Sequence, residues 1–224
     1  MSRLALSIKT FNFILQAMPP QKSDSIEFRS IHGIHIETGT FGLVAVATTG
    51  EVMLVAMDDE TPFGEEASFT ILPTKEMIQA CRLRRPNQAD HRIITLDTKN
   101  NVGLVRENGG MLATGPLTIS DIPYPRWSRI CYQRMVFNTI PGFIPPAAME
   151  RITLAATVVG SLITLHVSGS GSPVMVSFPP ESNTGVRYFV RNKPANGACQ
   201  PEGPNPARMM NLRHRVDDNR AEQH

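Results

Sequence analysis

Apolar side chains near the start of the chain fall at Leu4, Ile8, Phe11, Leu15 and Met18, three and four residues apart. That spacing gathers one stripe of a helix against a core. It predicts a helix over 3–17, ended by Pro19 and Pro20, whose rings cannot continue the hydrogen-bond ladder. The period then shortens. SIEFRSIHGIHIE, FGLVAVAT, EVMLVAMD and EASFTILP are short β-rich runs separated by Gly, Thr and Asp, which predicts four strands in an antiparallel meander. PTKEMIQACRLRRP returns to a helical pattern, with Pro73 and Thr74 at cap positions, Met77, Ile78 and Cys81 on one side and Pro86 beyond the end. A helix is predicted over 74–84. HRIITLDTK, NVGLVREN and GMLATGPLTI read as three further strands, turning at Asn100–Asn101 and Gly109–Gly110.

After SDIPYPRW the pattern restarts in part. RICYQRMVFNTI reads as a strand, PPAAMERITLAATVV as a helix carrying Met149, Ile152 and Ala156 on one face, and SLITLHVSGSGSPVMVSFPP and GVRYFVRN as strands. The fold class is therefore α+β, with antiparallel sheets and helices on one face. A complete unit spans 1–121 and a partial unit 122–194. Over 195–224 Pro, Asn, Gly and charged residues prevail without a sustained apolar period, as expected of a flexible tail.

Composition narrows the function. With 41% apolar residues in 224, the chain can bury a large core. Three cysteines, odd in number and far apart, argue against a disulfide framework and for a reducing, cytoplasmic compartment. Lys9, Asn12 and Gln16 interrupt the apolar start, so it reads as an amphipathic helix rather than a signal peptide, and no run reaches the ~20 apolar residues of a membrane span. The net charge of +2 leaves nucleic-acid binding to the placement of cations, and Lys75, Arg82, Arg84 and Arg85 cluster on and after the second helix.

No constellation of reactive side chains is legible. His32 and His35, three apart in a predicted strand, face opposite sides and lack a Cys or carboxylate pair at ligand spacing. GSGSP at 169–173 lacks the Lys and the following helix of a phosphate loop. No Ser-His-Asp or Cys-His arrangement follows from spacing. The chain is expected to be a non-enzymatic binding protein without cofactor or metal.

Four stretches, in order over Arg29 to Arg129, then acquire a meaning together. SIHGIHIETG resembles a strand that passes a Gly before an acidic turn, VAVATTGEVMLVA a V-A-T-D-G-x-R-L-A turn, ILPTKEMIQACR a V-P-x-K helix, and IPYPRWSRI an F-P-x-Y-x-R-V/L stretch. These are the marks of the bacterial sliding clamp family, the β subunit of the replicative DNA polymerase, in a divergent and shortened form such as a phage or mobile element carries. The resemblance implies a clamp-like fold of about one and a half repeats and a processivity role in DNA replication.

In that family the V-A-T-D-G turn and the F-P-x-Y-x-R stretch line an apolar pocket for short peptides from replication partners. Carried over residue by residue, the pocket wall is Ile31, Thr48, Gly50, Met53, Pro125, Arg129 and Ile130, with Phe189 from the last strand. Thr49 departs from the family's Asp, and Glu51 and Val52 stand where a His-Arg pair is common, so the rim charge differs. The family's helices line a channel around duplex DNA. Lys75 and Arg82 match family positions there, whereas Arg84 and Arg85 are added by this sequence alone. The implied partners are duplex DNA without sequence preference, replication proteins carrying clamp-binding peptides, and further copies of the chain. Two other readings stand beside this one: a clamp homologue without ring closure that serves as a protein-interaction module, and a β-rich structural or assembly protein.

Overall fold

The structure is a computed structural model and describes residues 3–18, 30–40, 42–58, 66–82, 91–128, 144–166, 175–178 and 186–192. The strand expected over 129–140, the expected tail over 195–224 and the cations Arg84 and Arg85 lie outside these residues.

Ser7 decides how the chain begins. Its hydroxyl accepts the Thr10 N–H at 2.9 Å and caps helix α1 (Ile8–Leu15), satisfying one of the donors that a helix start leaves open. The expected helix over 3–17 is thus shorter. Leu4–Ser7 forms strand β1, in which Leu4 and Leu6 are buried and Ala5 between them is exposed, a period of two rather than four.

Strands β2 (Ile34–Gly39), β3 (Gly42–Thr48) and β4 (Val52–Asp58) form the expected meander, but β5 (Ala67–Leu72) returns to pair with β2, Phe69 opposite Ile36, and not with β4. The first of these strands starts later than its sequence run. Ile31 sits in a helical turn, and Gly33, at φ +114°, lies so close to the Ile71 carbonyl that a Cβ would stand 2.5 Å from its oxygen. His32, read as part of the strand, precedes it.

Helix α2 (Lys75–Ala80) is shorter than the predicted 74–84 because both of its ends are closed by side chains. Thr74 Oγ1 accepts from Met77 N–H at 3.2 Å, and buried Arg92 donates to the carbonyls of Ala80 at 3.1 Å and Arg82 at 2.8 Å. Strands β6 (Ile93–Asp97), β7 (Val102–Glu107), β8 (Gly110–Pro116) and β9 (Thr118–Ile119) follow. The single strand expected over 110–119 breaks at buried Leu117, where the chain leaves one sheet for the other. Helix α3 (Pro146–Val159) and strands β10 (Thr164–His166), β11 (Met175–Ser177) and β12 (Val186–Asn192) complete the described chain.

The strands form two antiparallel sheets, ordered β1-β6-β7-β8 and β10-β11-β12-β4-β3-β2-β5-β9. β12 pairs with β4 along its whole length, from Val186 opposite Asp58 to Asn192 opposite Val52, so the later strands extend the sheet begun by the earlier ones. The main core joins α1 (Ile8, Phe11, Ile14), α2 (Met77) and α3 (Ile152, Ala155) to one face of the larger sheet (Leu43, Ala45, Leu54). Each such large side chain, taken fully out of water, contributes roughly 1.5–3 kcal/mol. Two polar ties fix the helices in place. Asn12 Nδ2 donates to the Ile8 and Cys81 carbonyls, and Arg151 Nη1 donates to the Gln16 carbonyl at 2.9 Å. Among the described residues no helix is long and apolar enough to cross a membrane.

Asp97, at the turn between β6 and β7, accepts from the side chain and backbone of Asn100 and from Arg3 Nε at 3.1 Å. These donors, Asn100 first, hold its carboxyl below the usual range. A depressed folded-state pKa stabilises the fold above the unfolded value of about 3.9 and loses that contribution as pH falls through the folded one. Asp97→Asn should therefore be less stable than the native chain at neutral pH. In urea titrations the gap between the two should narrow steadily below about pH 4.

Candidate functional site

The β3–β4 hairpin carries apolar residues at nearly every position, so strand alternation gives it two apolar faces. Leu43, Ala45, Ala47, Val52, Leu54 and Ala56 point into the main core. Val44, Val46, Met53, Val55 and Met57 point the other way and are buried as well, under Trp127 with Tyr124 at the margin. The Ile122–Ser128 stretch thus lies over the hairpin's outer face.

The turn itself is tied by hydroxyls. Thr48 Oγ1 donates to the Val52 carbonyl at 2.9 Å and accepts from Gly50 N–H at 3.0 Å, while Thr49 Oγ1 accepts from Val52 N–H at 3.1 Å. Thr49, where the clamp family has Asp, does with a hydroxyl what an Asp carboxylate does in a turn of this kind. Gly50 has φ +88°, and a Cβ placed on it would lie 3.7 Å from Ile31 Cδ1, so Ile31 borders the turn.

The covering stretch starts where β9 leaves β5. Ser120 N–H donates to the Thr70 carbonyl at 2.8 Å, and Ser120 Oγ then accepts from Ile122 N–H at 3.2 Å, a local turn that lifts the chain off the sheet edge. Farther on, Trp127 Nε1 donates to Glu37 Oε1 at 2.9 Å, and His35 Nε2 reaches the same oxygen at 3.0 Å. A carboxylate oxygen only accepts, so His35 carries a hydrogen on Nε2. Its Nδ1 lies 3.1 Å from Thr70 Oγ1, and its ring stacks on Tyr124 with centroids 4.6 Å apart and planes 4° apart. The Tyr124 hydroxyl is buried without a hydrogen-bond partner among the described residues, and burial pushes its pKa well above the ordinary tyrosine range.

Between this stretch and the β2–β5 pair opens a cleft of about 360 Å³, lined among others by His35, Glu37, Thr70, Asp121, Pro125 and Arg126. The volume is within the range of small-ligand and peptide-anchor sites. His35, Glu37, Thr70, Tyr124 and Trp127 were not singled out as site residues by the sequence. Their signal was a polar pair two apart, His35 and Glu37, on one face of an otherwise apolar strand, together with the chain's one tryptophan.

No protein-family model and no curated protein matches the chain. Solved structures do. The DNA polymerase III β subunit of Thermotoga maritima superposes with a TM-score of 0.53 at 12% identity, covering 88% of this chain and 66% of that one. The Helicobacter pylori β clamp, solved in complex with carprofen, gives 0.59 at 11% identity over 87% and 66%. The chain has the sliding-clamp fold. The Pseudomonas aeruginosa β subunit agrees, at 0.54 and 14% identity over 88% and 67%. The chain thus spans about two thirds of the length of these clamps.

On this clamp fold the residues carried over from the resemblance are distributed as follows. Thr48, Gly50 and Ile31 form one rim at the hairpin turn, and half-buried Pro125 lines the cleft. Phe189 stands opposite Val55 in the β12–β4 register. Arg129 and Ile130 lie outside the described residues. Lys75 and Arg82 are exposed at the start and just past the end of α2. Helix α3 exposes Met149, Glu150, Thr153, Leu154 and Thr157, so its exposed positions offer no cation to a phosphate.

Met53 departs from expectation. A pocket floor should be partly open, but Met53 is only 3% exposed, because Trp127 closes the outer cluster to which it belongs. Met53→Asp should accordingly unfold the domain rather than merely block a site. A buried unpaired charge costs at least as much as the ~2–5 kcal/mol of truncating a buried methionine. Thermal denaturation should show a collapsed melting temperature, whereas a native one would place Met53 at an accessible surface.

Proposed function

We propose that the chain is a clamp-like, non-catalytic accessory protein of DNA replication, acting in the cytoplasm. It takes short apolar peptides of replication partners beside the β3–β4 turn and holds duplex DNA without sequence preference. The observation that carries the peptide reading is the meeting of two stretches far apart in sequence. Met53 beside the turn and Trp127 of the covering stretch share one buried cluster, which supports a site with its rim at Ile31, Thr48 and Gly50 and its wall at Pro125. Apolar anchors set into such a cleft supply most of the binding energy of a short peptide. Arg129, Ile130 and Phe189 belong to the same reading.

Ile31 is the residue to change, since it is half-buried and borders the turn without entering the core. Ile31→Lys should weaken a labelled short peptide carrying Leu and Phe anchors by about tenfold or more, roughly 1.4 kcal/mol, while melting within a few degrees of the native chain. Unchanged affinity removes the hairpin rim from the site.

The DNA reading rests on Lys75 at the start of α2 and Arg82 just past its end, both exposed, with Arg84 and Arg85 close behind in sequence. Contacts of this kind go to phosphates and position the duplex without reading bases. Each contact adds a slope of roughly −0.9 to the dependence of log affinity on log salt. Replacing Lys75 and Arg82 by Ala together should flatten that slope by up to about 1.8 in fluorescence anisotropy titrations of duplex DNA. An unchanged slope means that α2 meets no phosphate.

In this reading further copies of the chain take part in surrounding DNA. β8, an end strand of the four-stranded sheet, exposes Met111 and Leu112. Among the described residues no strand pairs with its outer edge, and an edge of this kind is a template for pairing with another chain.

A further inference from the structure

The covering stretch has little backbone with which to hold itself down. Pro123 and Pro125 carry no N–H, and the chain from Ile122 to Ser128 forms no strand with the sheet. Its start is fixed by Ser120 N–H on the Thr70 carbonyl. Beyond that point two of its side chains reach the sheet: Tyr124 stacks on His35 and Trp127 hydrogen-bonds to Glu37. Both ties lead to one carboxylate, because the Glu37 oxygen that receives Trp127 Nε1 also receives His35 Nε2 and so fixes the ring on which Tyr124 lies. Thr70, at the other ring nitrogen, completes the support.

We propose that Glu37 is a positioning residue for the peptide site: without touching the peptide, it sets the height at which the Tyr124–Trp127 wall, and Pro125 within it, crosses the outer face of the hairpin. This rests on the peptide reading given above. An indole N–H so deeply buried needs an acceptor, and a carboxylate is a strong one. A Gln in the same place keeps an acceptor oxygen for the indole, whereas an Ala leaves the N–H without it and removes that tie from the wall.

Trp127 is the chain's one tryptophan, so its emission reports on this wall alone. The full-length chain, Glu37→Ala and Glu37→Gln are compared by emission maximum, acrylamide quenching and affinity for the labelled Leu- and Phe-anchored peptide, with circular dichroism as the check on folding. Glu37→Ala should shift the emission to the red, increase quenching and weaken the peptide by about tenfold, roughly 1.4 kcal/mol. Glu37→Gln should stay close to native in all three. Native emission in Glu37→Ala overturns the proposal, and so does a shifted emission with unchanged affinity, which makes Glu37 a purely structural tether. Should Glu37→Ala fail to fold, Trp127→Phe removes the N–H donor together with the five-membered ring and keeps a smaller aromatic plug, with circular dichroism again checking the fold. The same loss of affinity is then expected, and native affinity overturns the proposal. If the native chain itself binds no such peptide, the peptide reading falls and the positioning role falls with it, while a red shift in Glu37→Ala still separates that result from a wall Glu37 does not hold.

Discussion

A hairpin that is apolar on both faces cannot leave either of them in water. That constraint, set by residues 43–47 and 52–57, organises most of what surrounds β3 and β4. The inner face is covered by helices, which is ordinary. The outer face needs a second cover, and the chain provides it from a proline-containing stretch rather than from another helix or sheet. Because that stretch does not bond as a strand, polar groups enter an apolar surface to hold it: Glu37 and Thr70, joined through His35, with Glu37 accepting from Trp127. Buried polar groups left unpaired cost about 1–3 kcal/mol each, so the set is stable only when complete.

Much of the fold could be read from the order of residues, since alternation and helical period report which side of an element is buried. β3 and β4 were legible to within a residue, and so was the capping role of Thr74. What the period does not report is the neighbour. Nothing local in EASFTILP says that β5 should turn back to β2, because alternation fixes the face of a strand and leaves its partner to the global packing. The N-terminal helix shows a related ambiguity: Leu4 satisfies a spacing of four to Ile8 and a spacing of two to Leu6, and the capping hydroxyl of Ser7 decides between them. The break at Leu117 is of the same kind, a change of sheet within one β-rich run.

What the sequence leaves unread at the candidate site is its support. Thr48, Gly50 and Pro125 came from motif order, and the structure gives each a place beside the hairpin or the cleft. The resemblance puts Met53 in the pocket wall, and a single sequence cannot show that Trp127 lies above it. The spacing of His32 and His35 argues against a metal site and leaves a simpler question open: which group meets a histidine and a glutamate on one face of IHIETG. The answer lay in the lone tryptophan, far along the chain.

The pairing of β12 with β4 has a consequence for synthesis. The two strands are separated by more than a hundred residues, and β4 already holds β3 on its other side. While the ribosome is still making the intervening chain, one edge of β4 has its partner and the other waits with its amides and carbonyls open. Strand edges in that state recruit whatever extended chain is nearest, including a neighbouring nascent copy. The larger sheet therefore closes late, through a non-local contact that is slow to form. A translational pause before residue 186 would prolong the one interval in which this protein is most prone to join the wrong strand.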